Sequence, residues 1–179
     1  MKVYENLIKT HKDYKQILDN RLFKIILYND IKLDNIVLNL LYVTIKDNFM
    51  MTITDFETIN KYNQEFLKGL GNIYDAFNQI YNSKLAIIYD LTKVSSIFPP
   101  TILWNIGKFF SSKKEITNNI LYCTSIITSS VQVNNIIQTF INIYDNIKPI
   151  NLCTNQSDAF NFINQQVSIY NEIINDDIL

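Results

Sequence analysis

From residue 58 onward, apolar side chains recur at three- and four-residue steps, and short unbroken apolar runs interrupt that rhythm three times. Ile59, Tyr62, Phe66, Leu70, Ile73, Phe77 and Ile80 mark one face of a long amphipathic helix. Thr58 reads as its N-cap and Asn82-Ser83 as its end. Residues 85–89 are apolar without alternation, as a strand covered on both faces requires, and the run stops at Asp90. Pro99-Pro100 then announces a helix that turns Leu103, Ile106, Phe109 and Phe110 toward the core. Residues 120–127 and 149–153 are two further predicted strands. Val133, Ile136, Ile137, Phe140 and Tyr144 predict a helix between them. Thr154 or Asn155 caps a last helix that uses Phe160, Ile163, Val167, Tyr170 and Ile174. Helices and strands that alternate in this way build a parallel sheet by right-handed crossovers.

The first third has a different pattern. Tyr4, Leu7, His11, Tyr14 and Leu18 share one helical face, which predicts a helix over 4–18. Residues 22–28, 35–45 and 49–54 read as strands, the last two joined through Lys46-Asp47-Asn48 as a hairpin turn. The expected architecture is one α/β domain over 1–179. Its mixed sheet has parallel βα units from about residue 49, preceded in 1–48 by an N-terminal helix and extra antiparallel strands.

Composition narrows the class. A chain of 179 residues with 47% hydrophobic and 13% aromatic content builds a full core without disulfides or metal, and is no disordered chain. The net charge is −1, Arg21 is the sole arginine, and no basic run exceeds Lys113-Lys114. Nucleic-acid binding is therefore not expected. The apolar stretch over 36–43 is broken by Asn39 and too short to span a bilayer, and residues 1–6 hold no signal-peptide core. Cys123 and Cys153 fall in predicted strands, where free thiols act as small hydrophobes. A reducing, cytoplasmic setting is expected. Ile and Asn together make up roughly a third of the residues, which is the imprint of an AT-rich genome such as that of a large DNA virus, a protist parasite or an AT-rich bacterium. Scattered Asn is then no binding track.

Candidate chemistry is sparse. His11 is the only histidine, and it lies far in sequence from either cysteine, so no triad or dyad forms around it. One His and two separated Cys supply no metal set, and no cofactor is implied. Gly69-Leu70-Gly71 sits within a helix, and Tyr74 stands where a dinucleotide fingerprint needs a third glycine, so close packing is the better reading. Asp176-Asp177 lies at a tail unsuited to acid–base work. Asp90 closes a strand at the carboxyl edge where α/β sheets collect function. A phosphoacceptor role would need an acidic pair for Mg²⁺ and a lysine after the last strand, and Lys148 precedes its strand instead. Asp90 then caps the loop that follows. Beyond it Ser95, Ser96, Ile97, Phe98, Pro99, Pro100, Thr101 and Trp104 form either a partner-binding patch or a loop tucked into the core.

The run Leu-Ala-Ile-Ile-Tyr-Asp-Leu-Thr-Lys-Val over 85–94 resembles the central strand of STAS domains, the fold of anti-sigma-factor antagonists and of sulfate-transporter tails, and the resemblance in element order and pattern covers roughly residues 49–165. The resemblance implies a non-catalytic interaction module that meets a protein partner through Asp90, Ser95, Ser96, Phe98, Pro99, Pro100, Thr101 and Trp104. The family's Asp-Ser-Ser-Gly phosphoacceptor stretch is missing, because the comparable positions read Ile97-Phe98-Pro99-Pro100-Thr101. Two other readings stand beside this one. The first is a small-ligand or lipid-binding domain, which the many aromatics permit. The second is a structural virion or scaffold protein that self-associates through a sheet edge or the first helix.

Overall fold

The computed structural model describes residues 8, 10–33, 36–46, 56–80, 84–94, 99–143 and 148–176. Six strands form one sheet in the order β1 (Tyr14–Asp19), β2 (Phe23–Leu33), β3 (Ile36–Ile45), β4 (Leu85–Asp90), β5 (Leu121–Ile127) and β6 (Ile150–Cys153). The first two pairings are antiparallel and the last three parallel. The chain is thus a mixed α/β protein, as its pattern predicts. The parallel series begins at β3, earlier than residue 49, because β3 pairs directly with β4. The predicted strand at 49–54 and most of its turn lie outside the described residues.

Two N-terminal expectations are corrected. Ile8 and Thr10 are helical, but residues 14–19 form β1 and pair with β2 from Tyr14↔Tyr28 to Asp19↔Lys24. Backbone pairing at the sheet edge overrides the helical spacing of Tyr14 and Leu18 there, a tertiary override of a weak local signal. His11 lies just before β1, where its Nε2 meets the Asn29 carbonyl at 2.7 Å. Strand β2 also runs past the expected stop at Tyr28, through Asn29-Asp30. These two turn-formers make a β-bulge, with Asp30 at a φ of 47° and the register shifted between Tyr28 and Ile31.

Among the described residues after β3, five helices are seen: α1 (Phe56–Gln79), α2 (Pro100–Ser112), α3 (Lys114–Ile120), α4 (Val131–Ile143) and α5 (Gln156–Asp176). Helix α1 starts two residues before Thr58, so Thr58 is a first-turn residue and not the cap. Pro99 precedes α2 and Pro100 opens it, as proline's fixed φ favours. Ser130 caps α4 by accepting from the Val133 amide, and Asn155 caps α5 by accepting from the Asp158 amide at 2.9 Å. Helix α3 was not expected. Lys113 ends α2 and at once begins α3, fixed by its ion pair with Asp75 on α1 at 2.6 Å.

Repeating one crossover hand from β3 to β6 puts every connecting helix on the same face. Accordingly α1, α2, α3 and α4 lie over one face, above Phe23, Ile25, Leu41, Val43, Leu85 and Ile87. Helix α5 covers the other, where Ala159, Phe160, Ile163 and Val167 pack on Leu40, Ala86, Ile88 and Cys123. Gly69 lets α1 approach the antiparallel strands: a Cβ there would sit 3.5 Å from Ile25 Cδ1. Gly71 lies under the Phe109 ring of α2. The glycine pair is a packing device, as its mid-helix position predicts.

Candidate ligand cavity

In sheets whose strand order reverses, a crevice opens at the carboxyl ends beside the switch point. This parallel series runs β3-β4-β5-β6 without reversal, so no such crevice forms there. Asp90 ends β4 as expected, and its carboxylate is used within the fold. Oδ1 accepts from the Thr92 amide at 3.1 Å and the Thr92 hydroxyl at 2.7 Å, which shapes the turn. Oδ2 accepts from the Tyr42 hydroxyl at 3.0 Å, and that hydroxyl in turn accepts from Gln156 Nε2 at 2.8 Å. The chain of bonds ties β4 to β3 and to the start of α5. Burial, then the adjacent Asp90 carboxylate, hold the Tyr42 phenol well above its usual pKa.

The other patch residues divide. Pro99 is half-buried before α2, while Pro100 and Thr101 are exposed in its first turn. Trp104 is 60% exposed one turn on, with the Lys108 ammonium over its ring at 5.2 Å. Ser95, Ser96 and Phe98, with Ile97, lie outside the described residues. Pro100, Thr101 and Trp104 therefore share the outer face of α2, whereas Asp90 belongs to the Tyr42 network.

A concave feature lies elsewhere, between the sheet and the helices above β3, β4 and β5. A cavity of about 560 Å³ opens there. Its floor is Val43, Ile45, Tyr89, Thr124 and Ile126; α1 contributes Phe66 and Tyr74, and α2 contributes Leu103, Ile106 and Phe110. Helix α4 forms the remaining wall with Val133, Ile136, Ile137, Phe140 and Ile141. Of these α4 residues only Val133 is buried. Helix α4 also stands further off its neighbours than α1, α3 or α5 does, and the cavity occupies that gap. An inner strand would ordinarily bury an isoleucine completely, but Ile126 on β5 is only half-buried because it faces this space.

Two phenols mark the interior. Tyr74 is fully buried, and Tyr89 presents ring surface to the cavity with its hydroxyl enclosed. The two hydroxyls face one another closely enough to perturb each other, and among the described residues neither has any other partner. Burial pushes both phenols far above their ordinary pKa, so they remain neutral donors.

Among the described residues no group of three or more His, Cys, Asp or Glu side chains is placed to hold a metal ion, and no helix is long and apolar enough to cross a membrane. Cys123 is buried, and burial pushes its thiol up to about 12. Cys153 is half-buried beside the Ser125 hydroxyl at 3.6 Å, and burial raises its thiol too. Both are free thiols in strands, as expected. No family model, curated protein or solved structure matches the chain.

The sequence pattern turns Leu103, Ile106 and Phe110 toward the core and reads Val133, Ile136, Ile137 and Phe140 as the marks of a helix. Periodicity identifies the inward face of each helix but not the distance at which that face stands from the sheet. The one legible hint was the pair of tyrosines at 74 and 89 on otherwise apolar inward faces.

Proposed function

We propose that this protein is a non-catalytic binding protein for an elongated apolar small molecule or lipid, held between the sheet and α4. The observation that carries the reading is the cavity of about 560 Å³ with its apolar wall. It falls within the roughly 300–1,000 Å³ of small-molecule sites, which pair apolar linings with a few polar groups. Ser111, Thr117 and Asn118 supply such groups along its lining. A gap of this size would otherwise be a heavy loss of packing, since interiors are close-packed and voids destabilise. Helix α4, loosely set and amphipathic, serves as the wall that admits the ligand.

The test is native mass spectrometry of gently purified protein, followed by titration with oleyl alcohol. The wild type is expected to carry a ligand mass or to take up one oleyl alcohol. An Ile137→Trp variant, which fills the space under α4, is expected to keep its circular dichroism and lose that binding. Ligand-free spectra with no uptake by the wild type would refute the reading.

A second reading, docking of a protein partner as STAS resemblance implies, is favoured by the exposure of Trp104 beside Pro100 and Thr101. Exposed aromatic anchors of this kind are common at interfaces. The two readings use opposite faces of α2, so Trp104→Ala is expected to spare ligand uptake.

A further inference from the structure

The two ends of the cavity differ in burial. Val43, Tyr89 and Ile126 are register partners on β3, β4 and β5, and they form one row across the sheet near the carboxyl ends of the strands. Ile45 and Leu91 lie beyond that row, and Val133 lines the same end from the first turn of α4. Val43, Ile45, Leu91 and Val133 are all buried. At the amino-terminal end of the strands the lining comes from Ser111 in the last turn of α2, from α3, and from Leu121 at the start of β5. Ser111 and Lys114 are the exposed residues of the described lining, and both stand at this end. The cavity therefore meets solvent at the amino end and is closed at the Val43-Tyr89-Ile126 row.

Three elements measure the distance between those ends. Along β5 the lining runs from Leu121 to Ile126, about 17 Å at the rise of a strand. Along α2 it runs from Leu103 to Ser111, and along α4 from Val133 to Ile141, each about 12 Å at the rise of a helix. Both helices return from the carboxyl to the amino ends of parallel strands, so the three lengths lie along one axis. An extended hydrocarbon chain, with carbon–carbon bonds of about 1.5 Å at about 111°, advances about 1.25 Å per carbon. The enclosed length then matches about 10–14 carbons.

We propose that the site is a ruler for a medium-length aliphatic chain. About 10–14 carbons are enclosed, with the terminal methyl against the Val43-Tyr89-Ile126 row and the polar end at the Ser111 rim. This rests on the apolar-ligand reading and adds the chain length and direction of the ligand. Each methylene up to that length leaves water, while each one beyond it stays in water past the rim. Longer chains such as oleyl alcohol bind, but their extra carbons add no affinity. Ile126 sets the stop: it is half-buried on an inner strand and faces the cavity, so a larger side chain finds room there and shortens the space.

The experiment is competition by native mass spectrometry on the delipidated protein, with pairs of 1-alkanols from 1-octanol to 1-hexadecanol. Each pair differs by two carbons and is offered at equal concentration below the solubility of the longer member. The wild type is expected to favour the longer partner about 15-fold at each step, about fourfold per methylene, up to about 10–14 carbons, and less than about twofold beyond. The diol 1,12-dodecanediol, which puts a hydroxyl at the closed end, is expected to bind at least about tenfold more weakly than 1-dodecanol. Ile126→Phe is expected to keep its circular dichroism and to lower the plateau by about three to five carbons, its ring filling up to one row of the sheet, about 6.6 Å. The wild-type series and the diol decide the matter without any variant. A preference that keeps rising to 1-hexadecanol, or a diol that binds as well as the alcohol, overturns the ruler and leaves the cavity reading intact. A folded Ile126→Phe variant with an unmoved plateau overturns the stop in the same way. Failure of every alkanol to bind overturns both.

Discussion

Replacing Tyr42 by phenylalanine removes a single oxygen that joins three elements. That hydroxyl donates to Asp90 Oδ2 at 3.0 Å and accepts from Gln156 Nε2 at 2.8 Å, on a residue only 8% exposed. A hydrogen bond to a charged partner contributes about 1.5–3 kcal/mol and a neutral one about 0.5–1.5. Asp90 is partly exposed and keeps its bonds to Thr92, and Gln156 can turn to water, so the lower half of the combined range applies. The expected loss is about 2 kcal/mol. For a chain of 179 residues that corresponds to a fall in Tm of about 4–8 °C. Urea unfolding followed by circular dichroism reads it as a lower midpoint with an unchanged slope. A cycle with Asp90→Ala separates the pair: the coupling between Tyr42 and Asp90 is expected to be about 1 kcal/mol. A Tyr42→Phe loss below about 0.5 kcal/mol, or additivity within about 0.3, would refute the assignment of Asp90 to a structural network.

Other expectations follow from buried polar groups and from α1. Asn63 is fully buried, and neither of its side-chain polar atoms has a partner among the described residues, so Asn63→Leu is expected to raise stability by about 1–2 kcal/mol in the same urea assay. Destabilisation would show that the amide has a partner. Gly69→Ala gains helix propensity against ordinary contact at Ile25 and is expected to stabilise by about 0.5–1 kcal/mol by thermal melting; a loss would mean α1 is seated more tightly than the 3.5 Å gap implies. Cys123, with its thiol near 12, is expected to resist Ellman's reagent at pH 8 until the protein unfolds, its thiolate fraction being on the order of 10⁻⁴. The same raised pKa values set the alkaline limit. The folded state keeps protons on Cys123, Tyr74 and Tyr89 that the unfolded chain releases from about pH 9 upward, so stability is full below that pH and falls as pH climbs toward 12. A urea midpoint unchanged up to pH 11 would contradict it.

The alternating half of the chain was legible because its signals are local and redundant. The unbroken run before Asp90, the proline pair before α2, and Asn155 before α5 each fixed an element within a residue or two of its observed place. The N-terminal segment was less legible. Tyr14 and Leu18 fit a helical spacing equally well, and only the presence of β2 alongside decides for a strand. Asn29-Asp30 reads as a turn in isolation but becomes a bulge once β3 pairs across it. The site was hidden for a different reason. Ile137 and Phe140 look the same in sequence whether α4 rests on the sheet or stands away from it, because the distance depends on connections at both ends of the helix. Asp90, conspicuous in the sequence, was explained by partners 48 and 66 residues away, Tyr42 and Gln156, the latter reached through Tyr42.

The central claim is that the space under α4 is a ligand site and that the opposite face of the sheet is a sealed core. Methyl NMR of isoleucine-labelled protein titrated with oleyl alcohol tests it directly. The account predicts that Ile106, Ile126, Ile136, Ile137 and Ile141 shift as ligand is added, while Ile31 and Ile88 on the opposite face of the sheet and Ile163 on α5 do not. Unchanged signals from the cavity isoleucines, or equal shifts on both faces, would contradict it.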